Sequence, residues 1–227
     1  MKAQRLSGFG LCVVVLLLVV GAGPVGGAQP PASEDKAPTG YGPWVVETVD
    51  STWGAGSHVS IAISPHSGTT YISYYDRGAG SLKMAKSVHA GGNCGPTGRW
   101  ECETVDNAGD VGQYSSIAID PTVDLPGISY YDATNESLKY AKWLGSSWYI
   151  RTVDDPYGSV GTHTSLKFDA SGVPHIAYHA AYRDLQSDRL FYATLYKGST
   201  SLCTNGDFEC MPIHTAYAGY TSLDINS

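Results

Sequence analysis

Aromatic rings beside short polar residues are the chemistry this chain offers most openly. Trp53, Tyr114 and Tyr157 fall in or next to the Gly-containing segments "STWGAGSH", "NAGDVGQY" and "DPYGSVGTH". Asp50, Asp106 and Asp154 stand immediately before those segments. A ring gives a sugar a stacking face, and a carboxylate accepts bonds from its hydroxyls. Trp53, Tyr114, Tyr157, Asp106 and Asp154 are therefore the candidate ligand-binding residues. The competing reading is structural, with the rings packed in loops and the acids nucleating turns. Asp76 and Asp132, which close the two "SYYD" segments, read as turn caps for the same reason.

Other chemistry finds less support. His175 and His179 would share one face of a strand, but no HExxH or Cys/His cluster accompanies them. "DPTVD" and "DASG" lack the spacing of a full calcium loop. The segment after the leader holds only Arg77, Arg99, Arg151, Arg183 and Arg189, with no nucleophile elbow and no phosphate loop. No catalytic residue, metal ligand or cofactor is assigned, and the reading leans away from an enzyme. The formal net charge is -7 and no basic cluster occurs, so nucleic acid is a poor partner.

The elements that must position these residues repeat along the chain. "VSIAIS", "SSIAID", "TSLKFD" and "TSLDIN" form one set, and "YISYYD", "GISYYD" and "HIAYHA" a second. "SLKMAK", "SLKYAK" and "RLFYAT" form a third; "WVVETVD", "WECETVD", "WYIRTVD" and "FECMPIH" form a fourth. Each segment is short, rich in Val, Ile, Tyr or Trp, and bounded by turn residues, which predicts strands. The period lies in the range of solenoids, propellers and arrays. Four antiparallel strands per repeat predict an all-β protein, a β-propeller of four-stranded blades. The connection that precedes the "SIAI" segments is consistently longer than a tight hairpin. A crossing from outer to inner strand spans about 14 Å, so "SIAI" is the inner strand A and "TVD" ends the outer strand D.

This order predicts three full blades, approximately residues 59–105, 115–153 and 164–213, within a repeat region at 44–227. It leaves orphan strands at 44–49 and 221–226. Propellers typically have four to eight blades, so the count reads as a truncated sequence; an open array, or closure by a second copy, is the alternative. Unpaired strand edges would then favour self-association. Lys167 and Asp224, at matching inner-strand positions, are expected to form an ion pair.

Residues 1–28 read as a secretory signal peptide, with Lys2, Arg5, an apolar run from Leu11 to Val20 and small residues at the end. The run is too short to span a bilayer comfortably; an uncleaved anchor is the alternative. Residues 29–43 read as a disordered linker. Export predicts that the four cysteines beyond Cys12 pair. "NCGPTGRWEC" and "LCTNGDFEC" place them in two matched turns. The expected bridges are Cys94–Cys102 and Cys203–Cys210, with free or crossed cysteines as the alternative.

The hairpin "AKWLGSSW", residues 141–148, resembles the Asp-box of BNR-type β-propellers, with Gly145, Ser147 and Trp148 matched and Trp143 in place of the defining Asp. "FDASGVPHIAYH", residues 168–179, is similar to repeats of secreted prokaryotic propellers. The resemblance covers residues 44–226 and implies a fold more than a function. The expected role is non-catalytic recognition of a carbohydrate or protein at the cell exterior. Two rivals stand: a fragment of a propeller glycoside hydrolase or polysaccharide lyase, and a structural spacer.

Overall fold

The computed structural model describes residues 14–17, 45–155, 158–182, 187–195, 203, 206–214 and 219–225. The described residues are all-β, without a helix. Strands β1 (Val14–Leu17) and β2 (Val45–Thr48) pair antiparallel, Val14 opposite Thr48 and Leu17 opposite Val45. Three four-stranded antiparallel sheets follow. Sheet I holds β3 (Ala55–Ile63), β4 (Thr70–Asp76), β5 (Ser81–Ser87) and β6 (Trp100–Asp106). Sheet II holds β7 (Val111–Asp120), β8 (Leu125–Asp132), β9 (Ser137–Trp143) and β10 (Trp148–Asp154). Sheet III holds β11 (Gly158–Phe168), β12 (Pro174–Tyr182), β13 (Ser187–Leu195) and β14 (Phe208–His214).

In each sheet the strands lie side by side in chain order, as A, B, C and D. The A strands begin earlier than their apolar residues suggest. They carry bulges at the left-handed residues His58, Tyr114 and His163, with φ between 52° and 54°. The Gly-rich stretches that read as loops are therefore partly strand. Gly161 shows why one such position must be glycine: its φ is +100°, and a Cβ there would lie 2.7 Å from the Leu138 Cα of the preceding sheet.

Two repeated devices join consecutive sheets. The first is a hydroxyl bridge between A strands. Ser60 Oγ accepts from Ile117 N at 3.2 Å, Ser116 Oγ from Leu166 N at 3.0 Å, and Ser165 Oγ from Leu223 N at 3.0 Å. Residues 219–225 thus sit on sheet III as β7 sits on sheet I. Residues 221–225 form no strand ladder, whereas a strand was expected at 221–226. Asn226 lies outside the described residues. The second device is an aspartate at the end of each D strand. Asp50, Asp106 and Asp154 accept from Tyr74, Tyr130 and Tyr178 of the next sheet at 2.7, 2.7 and 2.8 Å.

Apolar packing follows the same joints. Leu82, Val105, Val111, Ile117, Ile128 and Tyr130 form a core between sheets I and II, and Leu138, Val153, Val160, Leu166, Ile176 and Tyr178 one between II and III. Ile117 and Leu166 are buried, whereas Ile61, at the same place in β3, is 48% exposed. Lys167 and Asp224 are both exposed and make no ion pair within 4.0 Å. The expected bridges Cys94–Cys102 and Cys203–Cys210 are both formed.

Candidate functional site

A four-stranded meander has two unlike ends. One end carries the A–B and C–D turns; the other carries the B–C turns and the links from D to the next A. The residues expected to bind ligand gather at the link end. Asp106 is buried, and accepts from Tyr130 Oη, Lys139 Nζ at 2.5 Å and Ala108 N at 3.0 Å. Burial alone would raise its carboxyl; Lys139 and Tyr130 outweigh that and hold it below the usual value. Asp154 is likewise buried against Tyr178. These acids hold sheets together instead of facing solvent. Asp76 and Asp132 cap their B–C turns through Gly78 N and Asn135 N at 2.9 and 3.0 Å.

Tyr114 is not a loop residue but part of β7. Its ring stands between His58 and His163, with centroids 4.5 and 4.4 Å away, and Tyr220 continues the row 4.7 Å beyond His163. The rings meet at tilts of 44–80° and so pack on one another. Trp53 stays exposed, lying over Gly78. Tyr157 lies outside the described residues. His175 and His179 take separate partners: His175 Nδ1 meets Tyr192 Oη, and His179 Nδ1 meets Thr162 Oγ1 at 2.9 Å.

The turn end holds what these residues do not form: a cleft at each joint, built from the same strand positions three times. A D strand of one sheet forms one wall. The start of B, the end of C and the C–D hairpin of the next sheet form the other.

In the first cleft, about 580 Å³, Glu47 of β2 faces Thr69, Ser87, Arg99 and Trp100 of sheet I. Arg99 donates from Nε and Nη2 to the two Glu47 oxygens at 3.2 and 2.9 Å, and Thr97 donates to the same carboxylate. Burial pushes Glu47 up, but Thr97 and Arg99 pull it below its ordinary value.

In the second cleft, about 290 Å³, Glu101 and Glu103 of β6 face Leu125, Trp143 and Gly145 of sheet II. Trp148, which opens β10 as Trp100 opens β6, donates its indole N–H to Glu103 at 3.1 Å. The Trp143 and Trp148 rings lie 5.3 Å apart across the hairpin. Lys86 pairs with Glu101 at 2.9 Å. Burial raises the Glu103 carboxyl, offset only in part by the indole.

In the third cleft, about 380 Å³, Arg151 occupies the position of Glu47 and Glu103. Tyr140, Lys142 and Tyr149 share its wall, and Pro174, Leu195, Asp207 and Phe208 of sheet III face them. Its guanidinium lies 4.7 Å over the Tyr149 ring and 3.4 Å from Asp207. Lys142 pairs with buried Asp120 at 2.7 Å.

These residues were visible in the sequence as the W-x-x-E, W-x-x-E and W-x-x-R openings of the D strands, residues 44–47, 100–103 and 148–151. Residues three apart on a strand face opposite ways. The acid therefore points at the next sheet and the tryptophan at the previous one, which brings Glu103 to Trp148.

No family model and no curated protein sequence matches the chain. Among solved structures it is similar to a fucose lectin from Kordia zhangzhouensis in complex with methyl-fucoside, at 16% identity and a TM-score of 0.45, covering 69% of this chain and 99% of that one. It is also similar to a triple arginine mutant of AofleA from Arthrobotrys oligospora, at 11% identity and a TM-score of 0.39, covering 80% of this chain and 65% of that one.

Proposed function

We propose that the chain is a non-catalytic carbohydrate-recognition module, exported by its amino-terminal segment, whose sheets are blades of a β-propeller and whose inter-sheet clefts are the sugar sites. The observation that carries this is the recurrence of one cleft at three joints, each time with an ionised side chain on the D strand, and with Trp143 or Tyr149 adding reachable aromatic surface in the second and third. A pyranose offers apolar C–H faces and a rim of hydroxyls, so it needs that combination. Paired carboxylate and guanidinium groups, such as Glu47 and Arg99, are pre-positioned to take adjacent hydroxyls without reorganising. The first and third clefts, about 580 and 380 Å³, fall within the small-ligand range, and the second, about 290 Å³, lies at its lower edge. Weak single sites on one rigid chain would gain avidity on a repetitive glycan.

The propeller reading is supported by the serial packing of inner strands through the same hydroxyl bridge. The non-catalytic reading is supported by the engagement of the cleft acids: Glu47 with Arg99, Glu101 with Lys86, and Glu103 with the Trp148 indole.

A glycan array probed with the full chain tests the proposal, followed by titration of Glu47→Gln, Trp143→Ala and Tyr149→Ala. Binding to at least one glycan class should weaken several-fold in at least one variant. A blank array, or binding that none of the three changes, would overturn the assignment.

A further inference from the structure

The three clefts are built alike but not charged alike. Glu47 and Glu103 give the first two an acidic wall, and Arg151 gives the third a basic one at the equivalent strand position. Resting on the reading of the clefts as carbohydrate sites, we infer that the third cleft binds an acidic sugar. Its ligand carries a carboxylate or a sulfate, received by Arg151 and Lys142.

Three observations converge on this. First, the Arg151 guanidinium is held through Nε. Nε donates to Tyr149 Oη and lies 3.4 Å from Asp207, and the guanidinium carbon lies 4.7 Å from the Tyr149 ring centroid. The two terminal amino groups have no hydrogen-bond partner among the described residues, which leaves the forked edge for a bidentate anion. Arg99 in the first cleft differs, because it spends Nε and Nη2 on Glu47.

Second, Tyr140 lines the same cleft with its side chain almost wholly buried, and its hydroxyl has no hydrogen-bond partner among the described residues. A buried hydroxyl without a partner costs about 1–3 kcal/mol; a ligand oxygen would remove that cost. Burial also keeps this phenol protonated, so it is a donor. The methionine at the equivalent place in sheet I, Met84, offers no such group to the second cleft.

Third, a second cation stands on the same wall. Lys142 lies two residues from Tyr140 on β9, on the same strand face. Its charge is shared with Asp120, which is buried and also bonded to Thr122 N and Oγ1. Asp207 is the acid an incoming anion must displace. It is half-exposed and touches Arg151 at a long 3.4 Å, so it is the weaker competitor. Pro174, Leu195 and Phe208 form an apolar wall opposite for the ring of the sugar.

The experiment titrates the full chain with panels of uronate-bearing, sulfated and neutral oligosaccharides, at low salt and at 0.5 M salt. At least one acidic glycan should bind at low salt and weaken at high salt. Arg151→Gln should then lose that glycan by tenfold or more and leave neutral glycans within about twofold. Arg151→Lys retains the charge but not the fork; a loss intermediate between wild type and Arg151→Gln supports the bidentate contact. Glu103→Gln should show the converse, weakening neutral binding alone. Preference for the uronate panel or for the sulfated one identifies the anion, and either supports the inference. Binding of neutral glycans only would overturn it while leaving carbohydrate recognition intact. Binding of no glycan at all would remove both. Acidic-glycan binding unchanged in both Arg151 variants would also overturn it.

Discussion

The joint at Asp106 permits a sharp test of what holds the sheets together. Its carboxylate and the Lys139 ammonium are both largely buried, 2.5 Å apart, and Tyr130 Oη adds a third member. Asp106→Asn keeps an acceptor for Tyr130 but removes the charge facing Lys139. Stranding one partner of a buried pair costs about 3–5 kcal/mol. Asp132, 3.8 Å from the same ammonium, compensates in part, so the lower end, about 3 kcal/mol, is expected. Removing the lysine should be at least as costly, because its ammonium also faces buried Asp132 and its loss strands two carboxylates. The third joint accepts Phe191 at the position of Lys139 because Ala180 there replaces the second acid, and Tyr178 still holds Asp154 at 2.8 Å. Lys139→Phe is therefore expected to cost about 3–5 kcal/mol.

Urea unfolding at pH 7 followed by tryptophan fluorescence measures both. The sign with pH follows from the Asp106 carboxyl lying below its ordinary value in the folded chain. Its contribution is fully present above the unfolded-state pKa near 4 and is lost as pH falls through the folded value. The gap between wild type and Asp106→Asn should thus narrow on acidification below about pH 4. If Asp106→Asn or Lys139→Phe costs under about 1 kcal/mol, the joint is not organised around a buried ion pair as argued.

Other outcomes follow from individual contacts. Gly161→Ala must place a Cβ 2.7 Å from Leu138 Cα at a φ of +100°; a loss of about 3 kcal/mol is expected. Gly68→Ala, at φ +69° with nothing within 4 Å, should cost only about 1 kcal/mol in the same unfolding assay. Replacing both Cys94 and Cys102 by serine removes a link across eight residues of sequence, and the chain-entropy cost is about 2–3 kcal/mol, read as a lower urea midpoint. Because burial raises the Glu103 carboxyl, binding that uses the second cleft should decline at a higher pH than binding that uses Glu47, whose carboxyl is lowered; titrations between pH 7 and 4 on Glu47→Gln and Glu103→Gln separate the two.

Strand order within each sheet was legible because the repeats align four segment types in the same succession. The two disulfides were legible because each pair brackets its own turn. The strand starts were not. Gly56, Gly112 and Gly161 look like loop punctuation, yet they lie within long bulged strands. A bulge leaves no period-two signature, since it shifts the register that such a signature depends on. That error carried over to the site. The sequence sets Tyr114 in or next to a Gly-containing loop segment, whereas its ring is half-buried in an aromatic row with His58 and His163. Asp106 and Asp154 were weighed as ligand or turn residues, whereas their tyrosine partners lie 24 positions downstream, a separation that no local pattern reveals.

The repeats separate positions that recur from positions that vary more clearly than any single residue does. At the link end the bonded pair recurs unchanged, Asp50, Asp106 and Asp154 on one side and Tyr74, Tyr130 and Tyr178 on the other, while the lysine beside it, Lys83 and Lys139, gives way to Phe191. At the turn end the equivalent positions differ. Glu47 and Glu103 become Arg151; Ser87 becomes Trp143 and then Leu195. Stability demands the same bond at each joint, because each buried carboxylate needs the same kind of donor. Nothing in packing demands that an acid become a cation or a serine a tryptophan on a solvent-reached wall. On the proposed reading of the clefts as sugar sites, the variation there changes charge and aromatic surface, two properties by which sugars are told apart.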